Sequence, residues 1–286
     1  MKNALAKAAA QQRGGAGMPT TSSSSVIGHP SQEGPMASDT RSVPGIRLGL
    51  LLWLAGMLGV AVMTATTLPR LLGQASLPAP LWVISAASLA QSGLLAALAA
   101  WTGVKLAPAL GLRAPVFEAA ATGRPISPAL GSQLPSGLVA GMLGGILLFV
   151  TNRLAPASLA QAAGRFNPPL LARMLYGGIT EELLLRWGFM TALVWLAWRF
   201  LQRRRGAPRP GYAWLAIVAS ALLFGAGHLP AASALVGRLD VEIAVFVTGA
   251  NTAFGLLFGY LFWRRGLESA MVAHALAHAV NYLANL

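Results

Sequence analysis

Two adjacent acidic residues, Glu181 and Glu182, open an apolar stretch that runs to about Trp198. They stand out because the whole chain has only 8 aspartate and glutamate residues. A carboxylate in or beside hydrocarbon is costly unless it is paired or hydrated, and ionisable side chains inside membrane segments usually have a functional role. The position therefore predicts a functional pair of carboxylates. The plainer alternative is that the two acids only stabilise the start of a helix through its dipole.

The two carboxylates are predicted to have different roles. On a helix, Glu182 and Arg186 lie four residues apart and share one face. Arg186 can therefore hold the Glu182 carboxylate in a fork of two hydrogen bonds. Glu181 points about 100° away around the helix axis, so this arginine does not pair with it. We expect Glu182 and Arg186 to support the structure and Glu181 to carry out the chemistry.

Three of the four histidines lie in apolar runs in the last third of the chain. His228 closes one run, whereas His274 and His278 are four residues apart and share a helix face. Asn281, seven residues after His274, lies on the same side. A lone histidine on an apolar face is usually a core residue. Three of them in a chain with two membrane carboxylates predict one joint functional site.

Composition indicates an all-α, multi-pass transmembrane helical bundle of about seven helices. Of the 286 residues, 55% are hydrophobic and only 10% are charged. The absence of cysteine excludes disulfides and thiolate metal sites. In a soluble protein, the formal net charge of +13 would indicate a nucleic-acid partner. Here the basic residues cluster between apolar runs, so we expect no nucleic-acid partner and assign the charge to membrane topology.

The chain divides into a tail and a membrane domain. Residues 1–45 are rich in Ala, Gly, Ser, Thr and Pro without apolar periodicity, which predicts a disordered tail. Residues 46–286 are predicted to form the membrane domain, in which the polar stretch 105–133 leaves room for a short surface helix. The apolar runs cover about 45–68, 80–104, 134–150, 170–200, 211–229, 241–263 and 266–286.

Positive charge predicts the orientation in the membrane. Most lysines and arginines, including the cluster 203–205, fall in alternate segments between the apolar runs. Since cytoplasmic segments carry the excess of basic residues, we expect a cytoplasmic N-terminus and an external C-terminus. The expected location is the cell (inner) membrane. This pattern assigns Arg173 to an external segment.

Two pairs of glycines, Gly141 with Gly145 and Gly255 with Gly259, have a four-residue spacing. Small residues at this spacing let two membrane helices approach each other closely. These pairs predict helix packing rather than function.

The segment Glu181-Glu182-x-x-x-Arg186 resembles the EExxxR motif of the CPBP family of intramembrane endopeptidases. The name stands for CAAX-protease and bacteriocin-processing; the family is also called Abi, and it includes the type II CAAX prenyl proteases. The segment Phe224-x-x-x-His228 resembles the FxxxH motif of the same family. Both motifs occur in the family's order, within or at the edge of apolar runs.

The segment His274-x-x-x-His278 resembles the family's last motif, HxxxN or HxxxD, but ends in histidine. The resemblance covers about residues 134–286, which we therefore expect to form a protease-like core. It implies hydrolysis of peptide bonds inside the membrane. The expected partners are the lipid bilayer and a peptide or protein substrate, whereas the oligomeric state stays open.

The resemblance also implies roles for the individual residues. Glu181 would accept the proton of the attacking water, which fits the chemistry of a general base. His228 would share or orient that water. His274, together with His278 or Asn281, would stabilise the oxyanion.

The cofactor requirement has two interpretations. Relatives have been described both as metalloproteases and as metal-free glutamate proteases. Glu181, His228, His274 and His278 are also chemically able to bind zinc. A Glu181 that binds zinc would be poorly placed as the base, so we favour a mechanism without a cofactor and keep zinc as the alternative.

Two further functions fit the same residues. Histidine in place of asparagine or aspartate at position 278 also suits a non-catalytic, protease-like membrane interaction protein. A proton-coupled transporter could use the same buried acids and histidines. The sequence has no repeated halves, which argues against the transporter.

Removing either partner of the predicted ion pair should lower the stability of the folded protein. Glu182→Ala or Arg186→Ala leaves one buried charge without its partner, at a cost of roughly 3–5 kcal/mol. We expect less monodisperse protein in detergent and a lower unfolding temperature. Glu181→Gln is the matched control, because it alters the neighbouring acid outside the pair and should leave both values unchanged. Wild-type stability of the Glu182→Ala and Arg186→Ala proteins would contradict the structural role.

Overall fold

The computed structural model describes residues 43–72, 78–165 and 168–286. Residues 1–42, which make up most of the predicted disordered tail, therefore lie outside the described residues. The described residues form helices and contain no strand, which confirms the predicted helical membrane bundle. Five of the described helical segments are long and apolar enough to cross a membrane, and they cover Gly45–Leu72, Leu81–Leu110, Ser127–Arg153, Pro210–Val236 and Val241–Arg264.

The first half of the bundle contains three long helices and three short ones. They are α1 (Gly45–Thr66), α2 (Leu68–Leu72), α3 (Leu81–Leu110), α4 (Pro115–Ala121), α5 (Ser127–Arg153) and α6 (Ala157–Arg165). The predicted start of the third apolar run near Leu134 is wrong, because α5 begins at Ser127 and carries Pro135 inside it. Tertiary hydrogen bonds support this polar first part: buried Gln133 donates to the Arg265 carbonyl at 3.0 Å.

The second half begins with one helical stretch in which π-helical turns alternate with α-helical ones. Its parts are α7 (Leu170–Leu175), π1 (Tyr176–Glu181), π2 (Leu183–Met190), α8 (Thr191–Leu196) and π3 (Ala197–Leu201). Four helices follow, α9 (Pro210–Gly227), α10 (Leu229–Val236), α11 (Val241–Arg264) and α12 (Leu267–Leu283). The two carboxylates lie where π1 meets π2, and π-helical turns inside α-helices are frequent at functional sites.

The outer surface of the bundle is apolar, as expected for helices that face lipid. Leu50, Leu54 and Leu58 recur every four residues on α1, and each is at least half exposed. Val139 and Leu143 form a similar exposed row on α5. A soluble protein would rarely expose such continuous apolar surface, so these rows support a membrane location.

Glycines bring the helices of the site close together, as their spacing predicts. A Cβ atom at Gly141 would lie 3.0 Å from the Ala273 carbonyl oxygen of α12, and one at Gly145 would overlap Val280. A Cβ atom at Gly255 of α11 would lie 2.7 Å from the Cα atom of Ala221 on α9. The predicted close helix contacts are therefore confirmed, and they position the two helices that carry the three histidines.

The start of α12 is anchored to the short helix α4. One oxygen of the Glu268 carboxylate accepts hydrogen bonds from the backbone amides of Val116 and Phe117, at 2.8 and 3.0 Å. A second acid, Glu118, pairs with Arg113, and this hydrogen bond raises the pKa of the Arg113 guanidinium. The expected short surface helix thus exists; its one acid, Glu118, is buried, and its first backbone amides hold Glu268 of α12.

The contact at Gly255 gives a test with a control on the same helix. Gly255→Ala would place its methyl group against the backbone of α9, so the helices must separate at a cost of roughly 1–3 kcal/mol. Gly249 of α11 has nothing within 4 Å of an added Cβ atom. We expect a lower unfolding temperature for Gly255→Ala and no loss for Gly249→Ala. Equal stability of the two variants would show that close approach of α9 and α11 is not required.

Candidate active site

A cavity of about 460 Å³ contains the four predicted catalytic side chains. Glu181 from π1, His228 from the end of α9, and His274 and His278 from α12 all line it. Much of the remaining wall is apolar; it includes Val60, Met63, Leu68, Leu71, Leu148, Phe254 and Phe258. The structure therefore brings together residues from three distant parts of the chain at one apolar cavity within the helical bundle.

Glu182 lies behind this cavity and contacts two partners. Its Oε1 atom is 2.8 Å from Nδ1 of His274, and its Oε2 atom is 3.2 Å from Nε of Arg186. The side chains of Glu182 and Arg186 are fully buried. The predicted pairing of Glu182 with Arg186 agrees with this geometry. The contact with His274 was not predicted, and it makes Glu182 a link between the two helices.

The predicted fork of two hydrogen bonds between Arg186 and Glu182 is wrong. Only Nε of Arg186 approaches the carboxylate, and Nη2 donates instead to the Gly255 carbonyl at 3.2 Å. The guanidinium also lies over the rings of Phe224 and Phe258, at 5.1 and 5.7 Å from their centroids. Arg186 is therefore held by the aromatic rings of α9 and α11 as well as by the carboxylate.

His274 is oriented so that one ring nitrogen faces each carboxylate. With Glu182 ionised against Arg186, its carboxylate only accepts hydrogen bonds, and Nδ1 of His274 then carries the proton of the bond to Glu182. In the neutral ring, Nε2 keeps a lone pair, and it lies 3.9 Å from Oε2 of Glu181. The Phe258 ring stacks on the His274 ring at 4.5 Å and fixes its plane.

His228 is oriented by the motif to which it belongs. Its Nδ1 atom lies 2.8 Å from the carbonyl oxygen of Phe224, so this nitrogen carries the proton and Nε2 keeps the lone pair. The Phe224 ring contacts the edge of the His228 ring at 4.7 Å. Phe224 thus orients His228 with its carbonyl group and Arg186 with its ring.

The two residues that were expected to assist His274, namely His278 and Asn281, lie in different surroundings. His278 lines the cavity and stacks on His274, with 5.1 Å between the ring centroids. Asn281 lies in a neighbouring cavity, where its Oδ1 atom accepts a hydrogen bond from Asn152 at 3.0 Å and another from Asn285 at 3.2 Å. Asn281 is therefore occupied by neighbouring amides and does not replace the usual asparagine or aspartate of position 278.

Several polar residues of the cavity were not singled out from the sequence, among them Arg173, Tyr176 and Asn251. Asn251 is an amide in the middle of the long apolar helix α11, and that isolated position was a usable signal. Arg173 was assigned to an external segment from the charge pattern, but it lies within α7 and lines the cavity.

The residues as placed do not fit a zinc site. The Nδ1 bonds of His228 and His274 leave both Nε2 atoms free, which is the arrangement that metal-binding histidines usually have. A catalytic zinc ion needs about three protein ligands around one point. In the described part of the chain, however, no group of three or more His, Asp or Glu side chains is arranged to hold a metal ion. We therefore derive no step through a metal.

Comparison with known proteins identifies a family over part of the chain. Residues 163–280 match the family model described as type II CAAX prenyl endopeptidase Rce1-like. No curated protein and no solved structure matches the chain. The matched segment contains the four predicted catalytic residues and Arg173, whereas part of the cavity wall comes from earlier helices.

Substitutions at two adjacent glycines of π1 test the geometry of the site and the stability of the fold separately. A Cβ atom at Gly177 would lie 2.9 Å from Nε2 of His278 and 3.1 Å from Nε2 of His274. One at Gly178 would lie 2.7 Å from the Cβ atom of Ala275 and 3.1 Å from its backbone. Gly177→Ala should displace the histidine rings, whereas Gly178→Ala should push α12 away from π1.

We therefore expect Gly177→Ala to keep most of its folded yield but to lower any hydrolysis at this site by about 100-fold. Gly178→Ala should instead lower the unfolding temperature and the yield. Yield, unfolding temperature and peptide cleavage of the two purified variants check this. A Gly177→Ala protein with full activity would show that the two rings do not need their observed positions.

Proposed function

We propose that this chain, whose residues 163–280 match the type II CAAX prenyl endopeptidase model, is an intramembrane endopeptidase that hydrolyses peptide bonds with a water activated by Glu181. The observation that carries this proposal is the distance of 3.9 Å between Oε2 of Glu181 and Nε2 of His274, two atoms that face each other in the cavity. Both atoms are hydrogen-bond acceptors, and both face a cavity among apolar helices.

The distance between these two acceptors suits one bridging water. At 3.9 Å they are too far apart for a direct hydrogen bond. A water between them donates one hydrogen to each and turns its lone pairs toward the cavity. This orients the water oxygen for attack on a peptide carbonyl that enters the cavity.

Proton transfer then follows the usual course of general acid–base catalysis. As the water oxygen bonds to the carbonyl carbon, Glu181 accepts the water proton. When the carbon–nitrogen bond breaks, Glu181 returns that proton to the leaving amine. Glu182 holds His274 so that Nε2 keeps facing the water, and His228 lines the same cavity with its own Nε2 free to orient water or substrate.

Oxyanion support comes from His278 rather than from His274 in this proposal. The bond to Glu182 places the proton of the neutral His274 ring on Nδ1, away from the cavity, so this ring has no donor to offer there. No hydrogen bond to another described residue fixes the proton of the His278 ring, which is thus free to donate to the carbonyl oxygen. The Asn251 amide lines the same cavity as a second candidate donor.

The proposed substrate is a prenylated peptide segment, as the description of the matching family suggests. CAAX denotes a cysteine, which carries the prenyl chain, followed by three residues. The apolar walls of the cavity would receive a prenyl chain or apolar side chains without an unpaired polar group. Glu181 and the histidines supply the polar groups that act on the peptide bond.

The direct test is cleavage of a farnesylated, internally quenched CAAX peptide by purified protein in lipid nanodiscs. Glu181→Gln removes the base and keeps the size of the side chain, so cleavage should fall by about 100-fold to 10,000-fold. Glu242→Gln makes the same change at an exposed acid in the first turn of α11 and should have no effect. Full activity of Glu181→Gln, or no cleavage by the wild type, would contradict the proposed function.

Position 278 tests the oxyanion role and the metal requirement together. Asparagine also offers an N–H donor, so His278→Asn should cleave within a few-fold of the wild type. His278→Ala has no donor and should be slower by about 100-fold to 1,000-fold. A chelator should not change the rate of either protein. One zinc ion per chain, with loss of cleavage in His278→Asn and on chelation, would instead establish a metalloprotease.

A further inference from the structure

A second cavity, of about 660 Å³, adjoins the one that contains Glu181. The two cavities share Arg173, Asn251 and His278 in their walls. The second cavity adds further polar side chains, because Asn152, Asn281 and Asn285 line it together with Tyr282. A peptide that reaches the first cavity therefore has a polar space beside it.

Arg173 stands at the junction of the cavities and forms no ion pair with another residue that the structure describes. Its Nε atom is buried and has no hydrogen-bond acceptor among the described residues. Its guanidinium lies over the Tyr282 ring, 5.6 Å from the centroid, which fixes its direction without neutralising its charge. A half-buried guanidinium in such surroundings is stabilised by an anion.

None of the described acidic side chains forms an ion pair with Arg173. Four of them bind the partners already named or cap a helix: Glu118 pairs with Arg113, Glu182 with Arg186 and His274, Glu268 holds the amides of α4, and Asp240 caps α11. Glu242 is exposed in the first turn of α11. Glu181 faces His274 at 3.9 Å. No described acidic side chain pairs with Arg173, which leaves this guanidinium available to an anionic ligand that enters the cavities.

We propose that Arg173 binds the C-terminal carboxylate of the peptide substrate. This rests on the proposed function, since it assigns a binding site for the part of the substrate that follows the cleaved bond. The planar fork of a guanidinium matches a carboxylate in two parallel hydrogen bonds. The amides of Asn281 and Asn285 lie in the same cavity, beside the peptide segment that leads to the carboxylate.

The distance along the helix agrees with a short segment after the cleaved bond. Glu181 follows Arg173 by eight residues, so their backbones lie at most about 12 Å apart along the helix axis. An extended peptide spans about 3.3–3.6 Å per residue. About three or four residues thus fit between a peptide bond at Glu181 and a carboxylate at Arg173. The enzyme would select chain ends rather than internal sites.

Binding to a protein that cannot cleave tests this assignment independently of the proposed reaction. Full-length protein with Glu181→Gln in phosphatidylcholine nanodiscs is titrated with two fluorescent farnesylated peptides, one with a free C-terminal carboxylate and one with a C-terminal amide. Fluorescence anisotropy should report about 10-fold to 100-fold tighter binding of the carboxylate peptide. With Arg173→Gln added, both peptides should bind with the weaker affinity of the amide.

Two controls separate the role of Arg173 from general effects of charge and folding. Arg153→Gln removes an exposed arginine at the end of α5 that lines neither cavity, and it should keep the preference for the carboxylate. Arg173→Lys keeps the charge and should keep part of the preference. Phosphatidylglycerol in the nanodiscs should leave the preference intact.

Three results would overturn the assignment. The first is equal binding of the two peptides, or no binding of either. The second is a preference for the carboxylate peptide that survives Arg173→Gln. The third is loss of this preference when phosphatidylglycerol is present, which would assign Arg173 to a lipid headgroup. Failure of the proposed function is a different result: the protein with Glu181 would cleave neither peptide, whatever their order of affinity.

Discussion

The site depends on one carboxylate that is shared by two partners in an apolar interior. Glu182 is fully buried between Arg186 on its own helix and His274 on α12. A buried ion pair is costly to assemble, and it becomes strongly destabilising when one partner is missing. The three side chains must therefore be present together, and the helices that carry them must stay at their observed separation. Arg186 extends this constraint to α11 through the Gly255 carbonyl.

This constraint explains why small residues surround the site. Gly177 and Gly178 leave room for α12 beside π1, and Gly255 leaves room for α9 beside α11. Gly59 lets α1 approach so closely that Thr180 donates a hydrogen bond to the Gly56 carbonyl at 2.7 Å. The polar groups are thus aligned by helix backbones in contact rather than by flexible loops, which suits the proposed role of holding a water in one position.

Much of the fold and of the site could be predicted because it depends on local spacing. Apolar runs of membrane length predicted the helices, and four-residue spacing predicted the Glu182–Arg186 pair and the close glycine contacts. The bond between Glu182 and His274 joins residues 92 positions apart, so no spacing rule contains it. The π-helical turns at the carboxylates also depend on tertiary packing. Asn281 was expected on the side of His274, but neighbouring amides hold it in the second cavity.

Arg173 shows a different limit of sequence reasoning. Counting basic residues between apolar runs treats every arginine as a topology signal. Burial distinguishes the arginines: those of the cluster 203–205 are exposed in a loop, whereas Arg173 is half-buried beside the candidate active site. Its lack of a counterion becomes visible only when the positions of the described acids are known.

The central claim is that Glu182 fixes His274 with its proton on Nδ1 and leaves Nε2 free to hold a water with Glu181. Nitrogen-15 NMR of histidine-labelled protein in lipid reports directly which ring nitrogen carries a proton, and a His274→Gln sample assigns the signals. The account predicts a neutral His274 ring near pH 7, because Arg186 already neutralises Glu182, with Nδ1 protonated and Nε2 bare. A His274 ring whose Nε2 carries the proton would contradict it, because Nε2 could then not accept a hydrogen bond from the attacking water.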